Sequence, residues 1–242
     1  STFSANQAFE GGAIYHDSTG TLTLNGPTFE NNQAVEDPNG NDGGGSIYQN
    51  AGDLIIGRLV VEEEIISDCQ FIGDNINETP TLVNAVNNGG AIFLASGATS
   101  TQITLCSFTK FTSSLNGGVI ASQSTGTVTM SENTFTQNSA ASGGVVYTLG
   151  SSSPTINDST FSANQAFEGG AIYHDSTGTL TLNGPTFENN QAVEDPNGND
   201  GGGSIYQNAG DLIIGRLVVE EEIISDCQFI GDNINETPTL VN

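Results

Sequence analysis

The side chains best equipped for chemistry in this chain are its carboxylates, and one run, "DPNGND", has the order of a calcium loop. Asp37, Asn39, Asn41 and Asp42 echo the D-x-[DN]-x-[DN]-G opening in which alternating oxygen ligands surround a hard cation. Asp42 stands where that loop has its glycine, and the twelfth position is Tyr48 rather than a glutamate. Calcium is the one cofactor the sequence suggests. The plainer role of these acids is solubility and repulsion between molecules.

Other chemistries have weaker support. Carboxylate pairs ~5–9.5 Å apart suit glycoside cleavage, and Glu30 with Asp74 is one candidate. With 28 acids, however, some such pair is unavoidable. His16 reads as a surface or stacked residue rather than a general base. No nucleophile stands in a histidine constellation, no Cys/His spacing suits a metal, and no phosphate-cradling loop leads into a helix. The expectation is that the protein is not an enzyme. Asn77, Asn235 and Asn157 open N-x-[ST] sequons, which would carry covalent glycans. The first two are handicapped by a following proline, whereas Asn157 should face outward.

The composition bounds the partners. Against the 28 acids stand three bases, Arg58, Lys110 and Arg216, for a net charge of −25. A cationic footprint for nucleic acid or an anionic membrane cannot be assembled from three residues. No apolar run is long enough to span a bilayer. Only 13% of residues are charged, and 31 are glycine, which points to an ordered chain rich in Gly, Ser, Thr and Asn.

What would position these groups is a repeat. Residues 1–84 are identical to residues 159–242, so the long period is 158 residues. Inside it a phenylalanine recurs at Phe3, Phe29, Phe71, Phe108, Phe135, Phe161, Phe187 and Phe229, in steps of 26, 42, 37, 27 and 26 before the cycle restarts. A glycine pair with an aliphatic segment follows each: "GGAIYH", "GGSIYQ", "GGAIFL", "GGVIAS", "GGVVYT". Then comes a third alternating piece, such as "TLTLNG" or "TVTM". Period-2 alternation of Thr, Val, Ile and aromatic residues is a strand signal, and no stretch has helical periodicity.

Three short strands per turn, stacked turn on turn, describe an all-β parallel solenoid of about eight coils. Stacked strands lie ~4.8 Å apart, so equivalent residues form columns along the tube. The phenylalanines make one column. Leu24, Ile66, Ile103, Met130 and Ile156, each five residues earlier, make a second. Ile14, Ile47, Ile92, Ile120 and Val146 make a third. The glycine pairs fit corners where φ is positive or backbones come close. Asn6, Asn32, Asp74 and Asn138 follow the phenylalanines by three residues, with Phe111 as the exception, and would tie off the turns. Cys69 and Cys106 fall at equivalent places in consecutive coils. The ~4.8 Å step lies inside the ~4.4–6.8 Å disulfide window, so the two form either a clip or a pair of reduced core thiols. Cys227 repeats Cys69, and its partner is expected beyond residue 242.

The pairing of F-x-x-N with G-G-A-[ILV], close at "FSAN" and "GGAI" and looser at "FTKF" and "GGVI", resembles the polymorphic outer-membrane protein repeats of the pectate-lyase-like superfamily. That resemblance implies a right-handed β-helix on a cell surface, as in autotransporter passengers and adhesins.

The expected organisation is a five-coil unit, 1–158, continued without linker by the first part of a second, 159–242. The long coils carry insertions: "DLIIGRLVVEEEII" as a hairpin turning near Gly57 and Arg58 or as an extended strand, and "NINETPTLVNAVN" as a loop. Acids follow these coils, for residues 85–158 contain only Glu132 and Asp158. Neither end reads as a cap, so the tube should continue into further copies of its repeat, covalently or by end-to-end stacking. The function expected is a structural fibre or surface filament, extracellular or on the cell surface. The rival is an adhesin stalk whose insertions bind a glycan or receptor.

Overall fold

A computed structural model describes residues 1–35, 43–61, 64–73, 86–194, 201–219 and 222–230, and among them every regular element is a β-strand. Each phenylalanine of the column sits inside a short strand, flanked by Thr, Ser, Gln or Glu except where Ile72 and Ile230 follow it. Eight of these strands, from Thr2–Ser4 to Gln228–Ile230, pair in parallel and in sequence order to form one face. The register is phenylalanine on phenylalanine at all seven steps. The rings stack inside with centroids 4.5–5.2 Å apart, and from Phe29 to Phe187 they are wholly buried. Burial of each such ring contributes roughly 1.5–3 kcal/mol, with about 0.5–1.5 more from each stack.

The second and third strand segments of a coil share one sheet. In most coils they fuse into a single long strand, as in Ile14–Asn25 and Ile172–Asn183. In two coils they separate, into Ile120–Ser122 with Thr127–Ser131 and Val146–Gly150 with Ser153–Asn157. The remaining side is thin, made of strands of two to four residues, such as Gln165–Ala166 beside Gln191–Ala192 and Val86–Asn88 beside Ser113–Asn116, and of isolated parallel bridges. The tube is therefore three-sided, with two sides continuous around a shallow bend.

The third column forms as the sequence indicates, from Ile14 through Ile47, Ile92, Ile120, Val146 and Ile172 to Ile205. The second needs one correction. Leu24 pairs with Ile56, and Ile56 with Ile103. Ile66 instead lies in Glu64–Ser67, which runs antiparallel to Leu59–Val61. Ten of the sixteen extra residues of this coil lie between Ile56 and Phe71, so counting back five from the phenylalanine lands in the insertion.

Both reasons for the glycine pairs are visible. The first glycine of each pair, from Gly11 to Gly202, has φ between 57° and 66°. A Cβ on the second would overlap the carbonyl oxygen of the matching glycine one coil on, for example Gly144 on Gly170 and Gly170 on Gly203. Past each phenylalanine, asparagines close the turn as a ladder. Asn164 Oδ1 accepts from Asn138 N and Nδ2, while Asn164 Nδ2 donates to Phe135 O and Asn190 Oδ1. Phe111 replaces the amide in one coil and is buried, its N–H donating to Asn138 Oδ1. Asp74 lies outside the described residues.

Candidate functional site

The proposed calcium ligands Asp37, Asn39, Asn41 and Asp42, and the sequon residues Asn77 and Asn235, lie outside the described residues. Among the described residues, no three His, Cys, Asp or Glu side chains converge on a place that could hold a metal ion. Some of the described acids bond to a neighbouring coil: Asp17 accepts from Asn50 Nδ2 at 2.7 Å and Asp53 from Thr99 Oγ1 at 2.6 Å. Glu30 is exposed and pairs in register with Ile72.

The first insertion is an antiparallel hairpin standing off a parallel tube. Leu59–Val61 and Glu64–Ser67 pair, and the second copy repeats this where Ile205–Val219 meets Glu222–Asp226. Val61 pairs with Glu64, and Gly57 and Arg58 do not make its turn, because Gly57 still belongs to the coil and pairs with Asn25 and Thr104. Arg58 Nε lies 3.4 Å from Asp68 Oδ1, an ion pair across the neck of the hairpin. At such exposure a pair of this kind contributes about 0–1 kcal/mol.

Cys69 and Cys106 stand in register on neighbouring coils, 4.6 Å apart at Cα, and are joined in a disulfide. They occupy the corner two residues before the phenylalanine, where other coils have Asn133 or Ser159, both buried and hydrogen-bonded. Cys227 holds the same corner in the last described coil and donates from Sγ to Gly215 O at 3.1 Å. Asn157 is half-buried, at the end of a strand, in a surface amide row. Its Nδ2 donates to Ser131 Oγ and its Oδ1 accepts from Asn183 Nδ2.

His16 is not a surface residue by design. It follows inward Ile14 and outward Tyr15, so alternation turns it into the tube, in register with Gln49. Its copy His174, in a complete stretch of coils, is wholly buried. Gly178 O can only accept, so His174 Nε2 carries the proton, and Nδ1 accepts from Thr148 Oγ1 at 2.6 Å. Burial lowers the His174 pKa, partly offset by the Gly178 bond and by Asp175. Period-2 alternation in "GGAIYH" was the signal for this inward polar position.

The same alternation puts an aromatic column on the outside. Tyr15 stacks on Tyr48, which meets Phe93 with its ring tilted by 39°; Ala121 interrupts; then Tyr147, Tyr173 and Tyr206 stack in turn. Burial and then Glu10 and Tyr15 push the Tyr48 phenol up to about 12. The Tyr15, Tyr147 and Tyr173 phenols are raised by burial and by neighbouring acids, so these hydroxyls stay protonated.

The family model described as "Right handed beta helix region" matches residues 60–216. No curated protein and no solved structure matches the chain.

Proposed function

The chain belongs to the right-handed β-helix family, and from that premise we propose that it is a structural protein, an acidic tandem-repeat building block of an extracellular fibre or surface filament. The observation that carries this reading is the join between the identical segments. Phe135 in one repeat meets Phe161 in the next with the same register and stacking as coils within a repeat. A unit that stacks on its own copy through buried rings and a full set of parallel hydrogen bonds extends without a designed end. Its partners are then further copies of the same repeat, and no catalytic step is assigned to it.

Other features agree with an exterior setting. The disulfide suits an oxidising compartment. The net charge of −25 keeps neighbouring rods apart. The F-x-x-N and G-G-A-[ILV] motifs resemble those of cell-surface repeats, and Asn157 opens a sequon that would carry a glycan. The hairpin over 59–67, repeated in the second copy, favours one alternative, an adhesin stalk that displays the hairpin to a glycan or receptor.

Sedimentation and electron microscopy of the native material test the proposal. Rods or filaments with five coils per repeat, roughly 24 Å along the axis, are expected. Compact monomers with no higher species would overturn it. Saturable glycan binding abolished by deleting 58–68 would move the reading to the adhesin.

A further inference from the structure

All five tyrosines of the chain, Tyr15, Tyr48, Tyr147, Tyr173 and Tyr206, fall in one outward column. Adjacent phenol rings are held with centroids 5.1–5.3 Å apart, and their planes lie 13–23° from parallel. Stacking alone does not require the hydroxyl, because the inward column achieves it with phenylalanine throughout. The outward column loses its tyrosines at two coils, which carry Phe93 and Ala121, 6% and 2% exposed. Those are the two coils tied by Cys69 and Cys106. Thiols pair where phenols are missing, and phenols pair where thiols are missing. Cysteine and tyrosine are the two side chains that mild oxidation joins directly to a like neighbour.

We propose that the tyrosine column is an oxidative cross-linking site, in which Tyr15 couples to Tyr48, and Tyr173 to Tyr147 or Tyr206, as dityrosine. The oxidant is hydrogen peroxide, acting through a haem peroxidase. Each phenol gives up a hydrogen atom to become a phenoxyl radical, and the two radicals join through ring carbons ortho to the oxygens. The hydrogens on those carbons then move to the phenolic oxygens as the rings regain aromaticity. In total one carbon–carbon bond forms, two aromatic C–H bonds break, and two protons and two electrons reduce one peroxide to two waters. Holding the rings on adjacent coils makes the coupling intramolecular, which favours it over encounter between molecules. The ring edges reach solvent, since Tyr48, Tyr147, Tyr173 and Tyr206 are half-buried rather than enclosed. A Tyr147–Tyr173 bond would fasten the last coil of one repeat to the first of the next. The proposal needs only the coil register and holds whether or not the tubes assemble.

The test is to treat the chain with a haem peroxidase and hydrogen peroxide, then read dityrosine fluorescence, intact mass and the cross-linked peptides of a glutamyl-endopeptidase digest. Expected is a monomer on denaturing gels that has lost two hydrogens per link, at a rate independent of protein concentration. Because residues 1–84 recur as 159–242, Tyr15–Tyr48 and Tyr173–Tyr206 give one and the same linked peptide, and the variant below separates the two. Tyr173→Phe keeps an aromatic ring in the column, as Phe93 does, but leaves Tyr147 and Tyr206 two coils apart. Its dityrosine yield should fall by roughly half, leaving Tyr15–Tyr48 alone, since the two clusters are independent. Coupling found only between molecules, a Tyr173→Phe yield equal to that of the parent, or phenol consumption without dityrosine would each overturn the proposal.

Discussion

Phe135 and Phe161 stack with centroids 4.8 Å apart and planes 20° from parallel, although the sequence starts afresh between them at Ser159. The next step, Phe161 on Phe187, has the same 4.8 Å spacing. The core is indifferent to where one repeat ends.

Phe135→Ala should therefore behave as a core deletion in the middle of a rod. The cavity and lost transfer energy predict a destabilisation of about 3–5 kcal/mol in urea unfolding. Thr134→Ala, one residue away and facing outward, should stay within about 0.5 kcal/mol.

Reducing the Cys69–Cys106 disulfide frees a loop with a sequence separation of 37. The chain-entropy model puts the loss at about 3–4 kcal/mol. Thermal unfolding with and without reductant measures it, and an unchanged midpoint would contradict the clip.

Glu132 has φ 55° at a corner where other coils use glycine, Gly26 and Gly184. A left-handed conformation costs a side-chain-bearing residue roughly 1–2 kcal/mol, and the flexibility of glycine in the unfolded chain returns about 0.4–1. Glu132→Gly should thus raise stability by about 0.5–1 kcal/mol. Equilibrium unfolding checks the sign.

His174 faces Thr148, Gly178 O and the tight Gly210 corner, with Asp175 the adjacent charged side chain. Its folded pKa is lowered, so the unfolded chain takes up a proton first as pH falls. Its contribution is complete above the ordinary histidine pKa of about 6.5 and declines as pH drops from there toward the lowered folded value. His174→Gln should flatten that decline. Glutamine suits the place, because Gln49 holds the same column position and donates to Ala51 O at 2.7 Å. Midpoints at neutral and mildly acid pH for both proteins make the comparison.

Much of this architecture is legible in the residues themselves. Phenylalanine three residues before a turn asparagine, and Ile or Val as the second residue after a glycine pair, recur at fixed offsets in nearly every coil, so those two columns read directly. The column through Ile56 does not, because "DLIIGRLVVEEEII" offers two Ile–Ile pairs. Spacing alone cannot say on which side of the insertion the coil resumes. Gly57–Arg58 resembles a turn, yet Gly57 is bound on both sides in the sheet. His16 and the tyrosine column were open to period-2 alternation, but a lone histidine and a scatter of five tyrosines look like surface residues until the register aligns them.

The account stands or falls most directly on diffraction from aligned native filaments. It predicts a ~4.8 Å spacing along the filament axis together with a superperiod of roughly 24 Å on the same axis, one per five-coil repeat. A 4.8 Å spacing without that superperiod, or particles with no axial order, would contradict it.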